Sequence, residues 1–546
     1  MKLIMDRSFY LTYYIVIALI SVGVPLISIV LRPFGKQFSL GLQQLLQTPV
    51  RIGLTLAAIT AGLGYFVVYF GNEQFGGFDY SIMTDLGWRL ANGQKPYLDF
   101  ACTMPPGFAL GAKYAFLIWG RFWDAQLYMT ALFTGVSFLW FCFLFHRIFH
   151  SLALGIFTAF CLECITNLSL SYWWYNTTAS IAGGLFLASA FLYLWRPKAL
   201  EYQASYCLSL FLLAMMKPNT AVPLILATVV ILMSVPGNRI RTLLLSGVTL
   251  VALYGFLVTN SFPVDLLLLS YKAGGESRTL GKSILLQIYL NRRGMLEVGG
   301  IFTLALLTPF FYYRHSIAHF FRAKDYFSIR VFLLLCMGPV VGFLAMLTNG
   351  ELKFVDMVLP MISGVVLFFH RPDFALSHKQ PKPFNQRNYV ILLAILASIG
   401  LYSGVTRFRV GLIGPFFQEP ADHRTESPFF PGLRTGEGFS ALLKEVQGVM
   451  DSSPRGPIFF GPRMEFSYAA FHLQSPKYLP IWWDPGAAFA QSQESKYVDS
   501  WEQHRFGTLI FYKNDFMYYP PRLAALLDHM YDRDNRLQYL TIMRLK

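Results

Sequence analysis

Apolar stretches close to the 20 or so residues that span a hydrocarbon core as a helix recur along most of this chain. They predict membrane segments at Tyr10–Leu31, Ile52–Gly71, Ala125–Phe149, Leu152–Asn167, Thr178–Trp195, Tyr206–Met216, Ala221–Val235, Thr242–Thr259, Ile301–Tyr313, Phe327–Leu347, Met357–His370 and Tyr389–Val405. The stretch Tyr206–Val235 is basic at both flanks, which predicts a short hairpin rather than one long helix. Its break is the string MKPNTA, Met216–Ala221. Pro218 removes a backbone donor there and disfavours helix at Lys217, which puts Lys217 at the apex. Beyond Gly414 the pattern changes. Amphipathic Gly438–Met450 and short apolar segments at Ile458–Gly461, Thr508–Tyr512, Leu523–Tyr531 and Tyr539–Arg544 predict a small α/β domain.

One polar stretch interrupts the apolar pattern early: FGGFDYSIMTDLGWRLANGQKPYLDFACTMPPG, Phe75–Gly107. Ile82, Leu86 and Leu90 have helical spacing, so Tyr80–Ala91 is predicted helical, with Asp79 as N-cap and Asn92-Gly93 as its stop. A turn at Gln94–Pro96 leads to PYLDF, read as extended with Asp99 as a turn residue, and Pro105-Pro106-Gly107 opens an interfacial helix, Phe108–Trp119. Asp85 and Arg89 stand at i and i+4, the spacing of a surface helix pair.

Composition excludes an ordinary soluble protein: 55% of residues are hydrophobic and 14% charged, against about 25% charged in a typical soluble domain. The expected fold is a mainly α-helical polytopic membrane protein with about 12 membrane segments over residues 1–413, followed by the α/β domain over 414–546. The first apolar run reads as an anchor, since it is long and lacks a small-residue cleavage site.

The net charge of +15 is spread between apolar segments, which argues for bilayer orientation and against nucleic acid. With the N-terminus outside, the loops bearing Arg51, Arg147, Arg196, Lys198, Arg239, Arg241 and Lys324 fall in the cytoplasm, and the 72–124 loop and the C-terminal domain fall outside. Five of the six cysteines sit in apolar runs and Cys102 in a polar loop, so neither a disulfide framework nor a structural metal is expected. The C-terminal domain has no GxGxxG or P-loop string.

Several polar residues on the expected outer side bear on chemistry. YKAGGESRTLGK supplies Lys272, Arg278 and Lys282 in a Gly-rich loop suited to a phosphate. Lys217 and Asn219 occupy the hairpin apex, and an ionisable residue at that depth is a functional candidate, with snorkelling to the interface as the plainer account. TNGELKFVDMVLP adds Lys353 and Asp356 at a helix end, where polar groups suit sugar hydroxyls. YWWYNTT, with Tyr175 and Asn176, suits sugar stacking or an interfacial aromatic belt. Glu163 lies in an apolar segment, facing a cavity or bonded to a neighbour.

The arrangement FD…GWRLANGQKPYLDF…PPG resembles the first outer loop of the GT-C superfamily of integral-membrane glycosyltransferases, which use polyprenyl-phosphate sugars as donors. The resemblance covers Phe78–Gly107 and, more loosely, the many-span architecture. It implies that Asp79 is the general base on an acceptor hydroxyl, that inversion occurs in one displacement, and that cations hold the donor phosphate. Lys217, Lys272, Arg278 and Lys282 are the implied phosphate-binding set. Asp85, Tyr97, Asp99, Glu163, Tyr175, Asn176, Asn219, Lys353 and Asp356 are the candidate substrate-binding residues of such an enzyme. The implied partners are a polyprenyl-phosphate sugar, a glycan or lipid acceptor and membrane lipids, at the outer face of a cytoplasmic (inner) membrane. Some superfamily members use a two-acid divalent metal site, but six helical positions separate Asp79 from Asp85 and put them on different faces. The competing readings are a lipid-linked sugar flippase, expected to show internal repeats, a glycan polymerase or ligase, and a catalytically inactive scaffold.

Overall fold

The computed structural model describes residues 48–73, 75, 78–170, 172–267, 271, 324–349, 359, 361–364, 393–394, 397–398, 422–452, 456–483, 488–513 and 519–546. Five helices among them are long and apolar enough to cross a membrane: α1 (Pro49–Gly71), α4 (Asp124–Phe149), α6 (Tyr175–Trp195), α9 (Arg239–Thr259) and the first part of α10 (Tyr326–Asn349). The chain is a membrane protein. The predicted segment Tyr10–Leu31 and that at Ile301–Tyr313 lie outside the described residues, as do most of Met357–His370 and Tyr389–Val405.

Helix α6 is the centre of the helical body. Its most apolar window is wholly buried, and Gly183 lets Leu359 approach to where an added Cβ would meet it at 3.1 Å. Around α6 pack α4, α7 (Leu200–Ala214), α8 (Pro218–Met233) and α10, while α5 (Leu152–Ile165) packs on α4. The outward-facing side chains are apolar, as lipid contact requires: Leu54, Leu226, Val230, Val248 and Val251 are all largely exposed.

The predicted hairpin is present. Helix α7 ends at Ala214, α8 begins at Pro218, and Lys217 between them has φ −56° and ψ 121°, the extended conformation favoured before proline. The two arms return to one end. Tyr206 of α7 bonds Ser246 of α9 at 2.9 Å, and Ser234, after α8, receives Arg330 at 2.8 Å.

That end gathers the basic loops. His150 packs on Trp195, Arg241 donates to Pro197 O, and Tyr193 bonds Asn238. Helices α1 and α4 run antiparallel, with Gly64 beside Ala131 and Thr60 beside Gly135, which carries Arg51 to the same end. The opposite end carries the 72–124 loop and the C-terminal region: Arg434 N donates to Asn72 O at 2.8 Å and Trp123 N to Phe429 O at 2.8 Å.

The C-terminal region is an α/β unit, as its sequence predicts. It begins with a short antiparallel pair, β2 (His423–Arg424) and β3 (Arg434–Thr435), and its sheet has the order β4-β6-β8-β7, from Ile458–Phe460, Thr508–Tyr512, Leu540–Leu545 and Tyr531–Asp534. Within this sheet β4 and β6 pair in parallel, and the β6–β8 and β7–β8 pairings are antiparallel. Every residue of β6 is buried, and successive side chains serve two cores: Leu509 and Phe511 pack with Trp501 and Leu523, whereas Ile510 and Tyr512 pack with the early loop. The loop and the sheet therefore share one hydrophobic core. Phe75 is its hub, with ring centroids 5.0 Å from Trp123, 4.9 Å from Phe430 and 5.1 Å from Phe466. The short strand β1 (Phe100–Ala101) from the loop pairs in parallel with β5 (Leu479–Pro480) from the C-terminal unit.

Candidate active site

Two helices build the loop at the domain end. Helix α2, Phe78–Ala91, begins one residue before Asp79, so Asp79 stands in its first turn and not at the N-cap expected of it. An acid in the first turn is stabilised by the helix dipole much as a capping acid is, so the helix loses little by starting earlier. The Asp79 side chain lies outside the described residues. The stop falls where the sequence predicts: Gly93 adopts φ 80°, Gly93 N–H donates to Leu90 O, and Gln94 N–H donates to Arg89 O, the paired bonds of a Schellman cap.

PYLDF is a turn rather than the extended segment its sequence suggests. Asp99 accepts Lys95 N–H on its carboxylate at 2.8 Å and returns its own N–H to Lys95 O at 2.8 Å, while Tyr97 takes φ 66°. A local side-chain bond to the backbone outcompetes extension here, and Asp99 serves as a turn residue. Lys477 also reaches Asp99, at 3.5 Å, and the Tyr97 hydroxyl donates to Met104 O at 2.9 Å.

Pro106 opens the second helix, α3 (Pro106–Trp119). Its glycines permit close approach: Gly107 N donates to Met215 O at the hairpin apex at 3.0 Å, and a Cβ on Gly111 would overlap the Trp173 ring. The loop helices are thereby seated against the apex that carries Lys217. There the Lys217 ammonium donates to Asn176 Oδ1 at 2.8 Å and lies 5.0 Å from the Tyr175 ring centroid. Tyr175 in turn packs edge-on to Phe108 of α3, at 6.0 Å. Lys217 and the adjacent pair Tyr175 and Asn176, the latter 41 positions before it, form one cluster, with half-buried Asn219 in the first turn of α8.

Asp85 and Arg89 are not the surface pair that their spacing suggests. Both are buried, Asp85 at 0% and Arg89 at 3% exposure, because the C-terminal unit covers this face of α2. Arg89 Nε binds Asp85 Oδ2 at 2.7 Å, the Ser475 hydroxyl donates to Asp85 Oδ1 at 2.5 Å, and Arg89 Nη1 reaches Pro476 O at 2.6 Å. Burial pushes the Asp85 carboxyl up, against the opposing pull of Arg89 and Ser475. A guanidinium and a hydroxyl on its two oxygens do not fit a metal ligand. Among the described residues no three His, Cys, Asp or Glu side chains stand together as a metal would need.

Glu163 is fully buried between α4 and α5 and bonded to Ser137 at 2.6 Å and Asn167 at 2.7 Å, the plainer of its two readings. Lys272, Arg278, Lys282, Lys353 and Asp356 lie outside the described residues. Sequence reasoning missed Glu465, Ser475 and Tyr468 of the C-terminal unit, which meet α2 in a buried polar group. Ser81 donates to Glu465 Oε2 at 2.6 Å, and burial pushes the Glu465 carboxyl up to about 8 against that bond. No local signal marks them, since their partners are nearly 400 positions away.

No protein-family model matches the sequence, and no curated protein matches it. Among solved structures, ArnT from Cupriavidus metallidurans bound to undecaprenyl phosphate is similar with a TM-score of 0.49 and 12% identity, over 91% of this chain and 98% of that one. In its apo state the values are 0.46 and 12%, over 90% and 97%. The Archaeoglobus fulgidus oligosaccharyltransferase in complex with zinc and sulfate is similar with a TM-score of 0.45 and 11% identity, over 84% of this chain and 68% of that one. The chain is thus similar in trace to these proteins, while its chemistry has to be read from its own residues.

Proposed function

We propose that the protein is an inverting glycosyltransferase that moves a sugar from a polyprenyl-phosphate donor to a hydroxyl of a cell-envelope glycan or lipid. The observation that carries this reading is the seating of the Asp79-bearing loop against the Lys217 apex, through Gly107 and Met215, at the end opposite the basic loops. By the positive-inside rule that end faces outward from a cytoplasmic membrane. The loop motif's resemblance to GT-C enzymes supports the roles.

In this reading Asp79 takes the acceptor hydroxyl's proton as its oxygen attacks the anomeric carbon. The bond from that carbon to the phosphate oxygen breaks on the opposite face, and the lipid phosphate leaves with the electron pair. Inversion follows from the single displacement. Lys217, oriented by Asn176 and stacked on Tyr175, offsets the charge growing on the phosphate.

The test is sugar transfer by purified protein from a panel of polyprenyl-phosphate sugars to a membrane extract. Asp79→Asn is expected to lower kcat by about 100-fold or more. Full turnover by Asp79→Asn would remove the base assignment. No donor consumption by the wild type, with protein-dependent movement of the lipid across liposomes, would favour a flippase.

A further inference from the structure

The polar face of α2 ends on one short segment of the C-terminal unit. Positions 81, 85 and 89 form a stripe at i, i+4 and i+8, and each has a partner between Glu465 and Pro476. Ser81 is held twice, donating to Glu465 Oε2 and accepting from Phe466 N at 3.0 Å. Asp85 and Arg89 are held by Ser475 and Pro476, Trp88 Nε1 donates to Leu473 O at 2.7 Å, and Gln94, past the helix end, donates to Ser475 O at 2.7 Å. Elsewhere α2 lies so close to α3 that a Cβ on Gly87 would come within 2.8 Å of Ala112 O. The helix is therefore fixed between α3 and the 465–476 segment and has little freedom to slide or roll.

We propose that segment 465–476 is a positioning element for catalysis: through Ser475 and Glu465 it fixes the placement of α2, and hence of Asp79, relative to the Lys217 cluster. This rests on Asp79 being the base. Neither Ser475 nor Glu465 touches the reacting atoms. They act through the helix, and a misplacement of about 1 Å at a reacting group costs on the order of 100-fold in rate.

The clamp is sensitive to charge. Glu465 faces Ser81 and the Asp85–Arg89 pair on α2, and Tyr468 and the Arg463 backbone on its own unit. A cavity of about 20 Å³ bordered by Arg89, Glu465, Tyr468 and Trp483 leaves space for about one water. Ionising Glu465 would place a second negative charge beside Asp85, at a carboxyl that is itself buried.

The experiment uses the full-length protein in detergent micelles, as Ser475→Ala, Ser475→Thr and Glu465→Gln. Amide exchange over 78–91 reads the clamp without any assumption about function, and steady-state transfer reads its consequence, with the polyprenyl-phosphate sugar that the wild type consumes. Ser475→Ala is expected to speed exchange of α2 amides by about tenfold or more, the loss of one charge-assisted hydrogen bond, while α6 exchange stays as in the wild type. Its kcat is expected to fall by about tenfold or more with the donor KM within about twofold, and Ser475→Thr, which keeps the hydroxyl, to recover most of the loss. As Glu465 ionises, wild-type kcat is expected to fall above pH about 8, and Glu465→Gln, which keeps a neutral partner for Ser81, to flatten that fall.

Unchanged α2 exchange in folded Ser475→Ala overturns the proposal, as does faster exchange with unchanged kcat. If Ser475→Ala does not fold, the pH profile decides: a wild-type alkaline limb persisting in Glu465→Gln overturns it. Failure of the base assignment is separately visible, because Asp79→Asn would then retain turnover whatever the exchange data show.

Discussion

Asp85→Ala is the sharpest test of how the loop is held, because the environment of the charge left behind is known. Arg89 would keep Gln94 Oε1 at 3.3 Å and Pro476 O at 2.6 Å as acceptors, but no anion in contact, at 3% exposure. Breaking a buried ion pair by removing one partner costs about 3–5 kcal/mol, since the remaining charge is desolvated without compensation. That is a large fraction of a total stability of about 5–15 kcal/mol. Removing both charges together, as Asp85→Leu with Arg89→Met, deletes the uncompensated cation and leaves Ser475 and Gln94 to find water or each other. The double variant is therefore expected to be about 2 kcal/mol more stable than Asp85→Ala, although it carries the larger change in sequence. Urea unfolding in detergent micelles, followed by the fluorescence of tryptophans such as Trp88 and Trp123 in the shared core, measures both. The reasoning is refuted if Asp85→Ala stays within about 1 kcal/mol of wild type, or if the two substitutions simply add.

Three further outcomes are expected. Gly111→Ala would put a methyl 2.5 Å from Trp173 Cε2, forcing the ring off Phe108 O; a loss of about 1–3 kcal/mol is expected in thermal unfolding, and wild-type stability would contradict the packing. Glu465 has a folded-state pKa raised from 4.5 to about 8, so the folded protein holds the extra proton between these values and its stability falls as pH rises through that window. Glu465→Gln should remove that slope, and an identical pH dependence of urea midpoints in both proteins would count against it. Lys217→Gln keeps the Asn176 contact but loses the charge, so binding of a polyprenyl phosphate by detergent-solubilised protein should weaken by about tenfold, and unchanged binding would remove Lys217 from the phosphate site.

What was legible in the sequence was local. The ends of α1 and α4 fall within a few residues of the apolar runs that predict them, and the break at Lys217 follows from the chemistry of one proline. Gly93 announces its cap because few other residues accept φ 80°. Nothing local, however, says that Asp85 and Arg89 are covered, because their i,i+4 spacing serves a solvated pair and a buried one alike. Burial there is imposed by a segment nearly 400 positions on, and Ser475 and Glu465 read in isolation as ordinary loop polarity. The Tyr97 turn was missed for the opposite reason: a side-chain bond within five residues outweighed the extended preference of an aromatic and its proline neighbour.

The pairing of β1 with β5 and of Asp85 with Ser475 also sets an order of events in the cell. The two halves of that contact are 390 residues apart. At about 5–20 residues per second of synthesis, Ser475 emerges some 20–80 seconds after Asp85, on the order of a minute. During that interval the early loop has no partner for its buried ion pair, and Phe75 lacks the rings of Phe430 and Phe466. The loop stays unfinished until nearly the whole chain has been translated and inserted. A nascent or truncated chain would thus hold α2 against α3 alone, without its contacts to Glu465 and Ser475, which delays completion of this face until the last domain arrives.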